Sequence, residues 1–355
     1  MIDDLLTLTE ELCAIPSVSG DERALADDIE RRVRAAAPSL SVTRMGENVV
    51  VRTELGLDRR IVLGGHLDTV PANGNLAPQR DGNVLHGLGT ADMKGGLAVL
   101  LAIASEAECR RPRRDVTLVF YEGEEVADEY NGLRALFASQ PALVQGDLAI
   151  LLEPTGGWVE AGCQGTIHVR ATFLGTRAHS ARPWMGANAI HRASELLDRC
   201  AHFDAATVDV DGLEYREALQ VVRIGGGVAN NVVPDRCELV INRRYAPART
   251  LDDAVAEMQT LCADAGADEI EVLNASPAAP PNLSAPLVAE LIGVYNLPVR
   301  PKLGWTDVGR FAAHSIAACN LGPGDPTLAH SAAEQVDGAD LDGCRKVLVN
   351  FLFGD

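Results

Sequence analysis

The chain is short of positive charge. Its 355 residues carry 31 Lys and Arg against 50 Asp and Glu, a formal net charge of −19, and its isoelectric point is about 4.8. No basic run, and no interleaving of basic with aromatic residues, offsets this. Nucleic acid is therefore excluded as a partner, because phosphate contacts need a basic face. Long apolar runs are missing too. The longest, around 97–104, falls far short of the roughly 20 residues that span a bilayer, so no membrane partner is expected. The opening Met1-Ile2-Asp3-Asp4 has no basic region, which argues against a secretory signal. Eight cysteines are scattered without a CxxC pair, the pattern of buried or half-buried reduced thiols in a cytoplasmic protein. There is no internal repeat and no low-complexity tract, and the 28-to-3 excess of Arg over Lys carries no chemistry by itself.

What is present is ordinary for a globular protein. The composition is 47% hydrophobic and 23% charged, which excludes a largely disordered chain. At ~100–200 residues per domain the length suggests about two domains. Leucines on one face predict a helix from Leu5 to Leu12, and Ser19-Gly20-Asp21-Glu22 reads as the start of a second, through about Ala36. Apolar runs of strand length follow at 48–53, 60–64, 115–121 and 147–152, with helical stretches at 95–108 and 132–139 between the later ones. Strands alternating with helices imply α/β layers. The character changes near Gly165. Residues 166–174 alternate with period two, 188–199 read as helix, 219–224 and 237–245 as strands, 251–265 as helix and 269–273 as strand. That β-α-β-β-α-β order predicts a two-layer α+β module. A Pro-rich joint at 276–281 precedes a return to the α/β pattern, ending in a helix at 341–353. The expected organisation is an α/β domain, 1–165 and 282–355, with an α+β domain inserted at 166–281.

Acids and histidines cluster after the predicted strands. His66 and Asp68 follow 60–64, Glu124 and Glu125 follow 115–121, and Glu153 follows 147–152. Asp92 stands among glycines just before a helix, and His330 follows the Gly/Pro-rich loop 322–327. Separations of 26, 32 and 28 residues (His66 to Asp92, Asp92 to Glu124, Glu125 to Glu153) each match one β-α unit. Such spacing could bring all of them to the carboxyl edge of one sheet, where open α/β sheets bind ligands. Two imidazoles and three carboxylates suit a pair of Zn²⁺ ions. Two close cations need an anion between them, and Asp92 is the candidate bridge. Asp68 could orient His66. Of Glu124 and Glu125, one could bind metal while the other acts as general base. The Gly225-Gly226-Gly227 run lacks the GxxxxGK[ST] pattern and a following helix, so it is not a phosphate loop.

The stretches His66-Leu67-Asp68-Thr69-Val70-Pro71, 89–96, Glu124-Glu125, Gly175-Thr176-Arg177-Ala178-His179-Ser180, and the late His330 resemble the signatures of a known family. It is the zinc peptidase and amidohydrolase family that includes carboxypeptidase G, aminoacylase and acetylornithine deacetylase. The resemblance runs in order over nearly the whole chain. It implies a di-zinc catalytic domain with an inserted dimerisation or lid domain, and two Zn²⁺ per subunit for which Co²⁺ can substitute. His66 and Glu153 would bind one ion, Glu125 and His330 the other, and Asp92 would bridge. Asp68 would support His66, and Glu124 would be the base. It also implies a homodimer through the inserted domain, in which His179 reaches the neighbour's site as an oxyanion donor and Asn231 crosses with it.

Within that family, 160–165, 177–182 and 322–330 are similar to the actinobacterial branch that removes succinate from N-succinyl-LL-2,6-diaminopimelate. The alternatives are deacetylation of acetylornithine or acetyllysine, a small-peptide metallo-carboxypeptidase, or a binding protein on the same scaffold. N-succinyl-LL-2,6-diaminopimelate, with three carboxylates and one ammonium, carries about −2 at neutral pH, so a −19 chain must hold it with local cations. Arg244 matches the family's substrate-binding Arg, with Arg182, Asn231 and Thr306 as further contacts. Arg177 is balanced between a ligand role and plain surface charge. Arg243 and Arg244 are adjacent on a strand, so one should face solvent and one the packed side. Many bacterial relatives carry Arg just before the glycine matching Gly165, where this chain has Cys163-Gln164. His86, His168, His191, His202 and His314 show no partner pattern and are expected to be structural.

Overall fold

The structure, a computed structural model, describes residues 4–354. The acidic opening at 1–3 lies outside them. The chain forms two compact units.

One unit gathers the chain up to Ala161, Asn282–Arg300, and everything from Arg310 onward. At its centre Asp115–Tyr121, Arg60–His66, Leu148–Leu151 and Ala317–Asn320 lie parallel, in that order. These strands are apolar and buried on both faces, as parallel strands must be. Antiparallel strands flank them: Asn48–Arg52 and Ser41–Met45 on one side, Val159–Ala161 on the other, with Val299–Pro301 beyond it. Helix Gly95–Cys109 is apolar nearly all round and buried through Glu106, so it is a core element. Two glycines let it close on the sheet. A Cβ on Gly65 would stand 2.8 Å from Leu97 Cδ2, and one on Gly96 would stand 2.6 Å from the Leu152 carbonyl oxygen.

Two expectations need correction in this unit. The second helix is Arg23–Ala36 and does not start at Ser19. Ser19 is drawn away: its N–H donates to the Thr69 carbonyl at 3.1 Å and its hydroxyl to Asp68. Cys109 is exposed, whereas the other seven cysteines are buried and all eight are free. Among the described residues no helix is long and apolar enough to cross a membrane.

The other unit takes Gly162–Pro281 and Pro301–Gly309. Its antiparallel sheet runs Ala218–Gly226, Arg236–Tyr245, Gly165–Leu174, Glu269–Ser276. The period-two residues Ile167, Val169, Ala171 and Phe173 are buried with Leu196 and Met258 from the helices. The helix expected at 188–199 is two, Ala189–Arg192 and Ser194–Ala201, divided at Ala193. The hairpin Thr207–Val210 with Leu213–Arg216 was not expected, because its strands are short and polar.

Candidate metal centre

His66 ends the Arg60–His66 strand and is buried. Its Nδ1 lies 2.9 Å from the Asp68 carbonyl oxygen and its Nε2 3.0 Å from Asp92 Oδ1. Asp92 sits in the turn Thr90–Lys94 that leads into helix Gly95–Cys109, after Gly89 at φ +76°. His330, itself at φ +62°, points Nε2 at Glu125 Oε1 (2.7 Å) and at Asp92 Oδ2 (3.4 Å). The two imidazoles therefore address different oxygens of one carboxylate. One ligand atom from each of His66, Asp92 and Glu153 lies within 4.8 Å of the others, and the same holds for Asp92, Glu125 and His330. His66, Glu124 and Glu125 form a third such group. Imidazole nitrogen and carboxylate oxygen are donors that zinc takes, and Asp92, common to the first two groups, is placed to be shared. The donor set fits a pair of divalent cations.

Asp68 organises the approach to these groups. Its carboxylate is fully buried and accepts the Glu124 N–H on one oxygen and the Glu125 N–H on the other, each at 3.0 Å. The Ser19 hydroxyl adds a third bond at 2.7 Å. Burial by itself would raise the Asp68 carboxyl. The bond to His66, the charge of that imidazole, and the Ser19 and Glu125 bonds outweigh it and hold the group at about 2. Burial likewise pulls the His66 imidazolium down, but its bonds to Asp68 and Asp92 prevail and raise it well above the ordinary histidine value. His330 is pushed up to about 10 by its bonds to Asp92 and Glu125.

Sequence reasoning missed three side chains that shape this centre. Ser19 is one. Glu334, buried, accepts the Ala91 and Asp92 N–H groups on Oε1 at 3.1 Å each. Lys94, also buried, donates from Nζ to the carbonyls of Leu12 (3.3 Å) and Ile15 (2.7 Å). Ser19 and Glu334 carry no periodicity or motif that would have exposed this role, and Lys94, though inside the 89–96 stretch, carried no expectation of its own.

His179, Arg182, Asn231, Arg244 and Thr306 belong to the other unit, whereas every candidate metal ligand lies in the first. His179 is exposed, and its Nδ1 accepts the Ala181 N–H at 3.0 Å. Backbone pairing of His179 with Val232, and of the Ser180 N–H with the Asn231 carbonyl at 2.9 Å, brings His179 and Asn231 together. Arg182 is exposed, and its N–H donates to the His179 carbonyl at 2.8 Å. Thr306 is buried, its carbonyl 3.8 Å from the Cys163 thiol. Arg177 is paired with Asp235 at 2.7 Å. Strand alternation separates the adjacent arginines. Arg243 is buried against Glu217 (2.6 Å, both side chains 1% exposed), while Arg244 is half-buried and no acidic side chain pairs with it among the described residues. Of the remaining histidines, His168 meets Asn242 at 2.7 Å and His314 stacks on Phe137 with ring centroids 4.0 Å apart. Gln164 holds the Arg216 carbonyl at 2.7 Å.

Residues 62–353 match the model of peptidase family M20/M25/M40. The succinyl-diaminopimelate desuccinylase of Corynebacterium glutamicum is 43% identical over 358 residues, covering 99% of this chain and 97% of that one. A Mycobacterium tuberculosis protein provisionally given the same name is 45% identical over 351 residues, 99% and 98% of the two chains. In structure the chain is similar to an M20 family metallo-carboxypeptidase of Sulfolobus solfataricus, with TM-score 0.80 at 16% identity over 99% and 98% of the chains. It is also similar to a dinuclear metal binding peptidase of Bacillus subtilis, with TM-score 0.69 at 15% identity over 98% and 96%.

Proposed function

The chain belongs to peptidase family M20/M25/M40, and from that premise we propose that it hydrolyses the amide bond of N-succinyl-LL-2,6-diaminopimelate to succinate and LL-2,6-diaminopimelate. The observation that carries this reading is one site on a near-full-length match. His66, Asp92, Glu125, Glu153 and His330 converge in a chain 43% identical to the Corynebacterium glutamicum desuccinylase. His66 and Glu153 would hold one Zn²⁺ and Glu125 and His330 the other, with Asp92 shared, and Co²⁺ would be able to take their place. Bound there, such cations would supply Lewis acidity for the amide carbonyl and for a water near neutral pH.

The chain's own groups do the rest. Asp68 fixes His66 and, through two N–H bonds, the backbone that presents Glu124 and Glu125. Glu124 takes a proton from the attacking water and returns it to the departing amine. Arg244, half-buried and with no acidic partner among the described residues, holds a substrate carboxylate, and Thr306, Arg182 and Asn231 are further contacts, Asn231 crossing with His179. His179 donates to the developing oxyanion in the neighbour's site of a homodimer. Support for the dimer comes from the edge strand Ala218–Gly226, which leaves Val222 and Ile224 exposed, and from Trp184, 78% exposed near His179 in the chain. Free, mostly buried cysteines support a cytoplasmic location.

The test is turnover by the zinc-loaded protein on N-succinyl-LL-2,6-diaminopimelate, N-acetylornithine and dipeptides in parallel. The succinyl carboxylate, which the acetyl group lacks, held on Arg244 should favour the succinyl compound by roughly 10–100-fold in kcat/KM. Equal or better turnover of N-acetylornithine or a dipeptide would reassign the substrate. Glu124→Gln should keep the metals and lose most of kcat, whereas loss of zinc in that variant would make Glu124 a ligand.

A further inference from the structure

Glu334 is 1% exposed and belongs to none of the three groups able to hold a metal ion. A buried carboxylate is expensive to keep, and this one stands beside a second, Asp92. If the position needed only volume, an apolar side chain would fill it at lower cost. What Glu334 supplies is an acceptor. The N–H groups of Ala91 and Asp92 lie in the turn before helix Gly95–Cys109, and both end on Glu334 Oε1 at 3.1 Å.

The same residue is tied down from its own side. Its carbonyl accepts the Gly87 N–H at 3.0 Å and its N–H donates to Ser331 at 3.3 Å. The strand that follows it, Gln335–Asp337, pairs with Val84–His86. Four residues earlier stands His330, which reaches the second oxygen of Asp92. One side chain thus locks the segment bearing His330 to the segment bearing Asp92.

We propose that Glu334 is a positioning residue for metal capture: it sets the Asp92 carboxylate between the two imidazoles, so that metal affinity depends on an acid that is not a ligand. The proposal rests on the reading that Asp92 binds the cations. Groups that orient a ligand typically change metal affinity about 10–100-fold when removed.

Zinc affinity of the purified full chain, by competition with a chromophoric chelator, tests it, with circular dichroism and the thermal midpoint of the metal-free protein as controls. Glu334→Ala should bind zinc about 10–100-fold more weakly with its fold retained. Glu334→Gln keeps the oxygen that accepts both N–H groups and should recover most of that loss. If Glu334→Ala does not fold, Glu334→Asp takes its place, because its shorter arm withdraws the oxygen and should weaken binding to the same extent relative to Glu334→Gln. Asp92→Ala separates the two ideas. If it loses zinc while Glu334→Ala, or Glu334→Asp, binds like the parent, the positioning role is overturned and the metal reading stands. If Asp92→Ala itself binds zinc like the parent, the metal reading fails and takes the proposal with it. A lowered thermal midpoint with unchanged zinc affinity, or Glu334→Gln as weak as Glu334→Ala, also overturns the proposal.

Discussion

Replacing Asp68 by Asn should expose how much of the centre hangs on one carboxylate. Besides the His66 imidazole, three donors end on it: the N–H groups of Glu124 and Glu125, one per oxygen, and the Ser19 hydroxyl. Asn keeps one oxygen and turns an NH₂ toward a buried N–H that needs an acceptor. Losing a bond to a charged acceptor costs about 1.5–3 kcal/mol, and an unsatisfied buried donor adds about 1–3. A second route gives a similar size. A carboxyl held at about 2 instead of its ordinary 3.8 favours the ionised, hydrogen-bonded form by about 2 kcal/mol. Because the folded value is the lower one, this stabilisation is complete at neutral pH and is lost only as pH falls through 3.8 toward 2. Equilibrium urea unfolding of the metal-free protein at pH 7 should therefore place Asp68→Asn about 2–6 kcal/mol below the parent. Ser19→Ala, which removes a single donor, should cost about 1 kcal/mol. With zinc restored, Asp68→Asn should lower kcat more than it raises KM, because the backbone beneath Glu124 loosens. Parental stability in Asp68→Asn, or Ser19→Ala the more damaging of the two, would refute the reasoning.

Arg244→Ala should raise KM roughly 10–100-fold through loss of a charge-assisted bond to substrate, and unchanged KM and kcat would remove Arg244 from the site. Arg243→Met leaves the buried Glu217 with the Ala246 N–H at 2.9 Å and, as a cation, Arg249 at 3.5 Å, and a loss of about 3–5 kcal/mol is expected in urea unfolding, partly recovered in Arg243→Met with Glu217→Leu. Mixing His179→Ala chains with Glu124→Gln chains should restore activity, since one of the two sites in the mixed dimer is intact; verified subunit exchange without recovery would place His179 in its own chain's site or outside catalysis.

The parts of the centre most directly legible in the sequence are those placed by a strand, with Asp92 marked instead by the glycines of its turn. His66, Glu124, Glu125 and Glu153 each follow an apolar run whose end is marked by composition, and the observed strands Arg60–His66, Asp115–Tyr121 and Leu148–Leu151 deliver them. The division of labour between Arg243 and Arg244 was legible for the same reason, because alternation is a property of any strand. His330 is different. Its loop has no period, and its place depends on the pairing of Gln335–Asp337 with Val84–His86, strands of three residues that no apolar pattern announces. Ser19 misled because a Ser before an amphipathic stretch is an ordinary helix start, and its hydroxyl is instead taken by Asp68, 49 residues away. Glu334 acts on backbone groups of a distant segment, so nothing local in the sequence marks it, and Lys94, though inside the 89–96 stretch, reaches carbonyls 79 and 82 residues away.

The order of strands in the large sheet sets a timetable for synthesis. Ala317–Asn320 lies between Leu148–Leu151 and Val159–Ala161, yet the second unit is translated in between. As the chain emerges, Gly162–Pro281 can close its own four-stranded sheet while Leu148–Leu151 still waits with one edge unpaired. That edge is apolar, and an open edge is where nascent chains associate wrongly. The strand that covers it comes just ahead of His330 and Glu334 on the same C-terminal segment, so the sheet fills shortly before the centre is completed, and a messenger cut short before Ala317 yields neither.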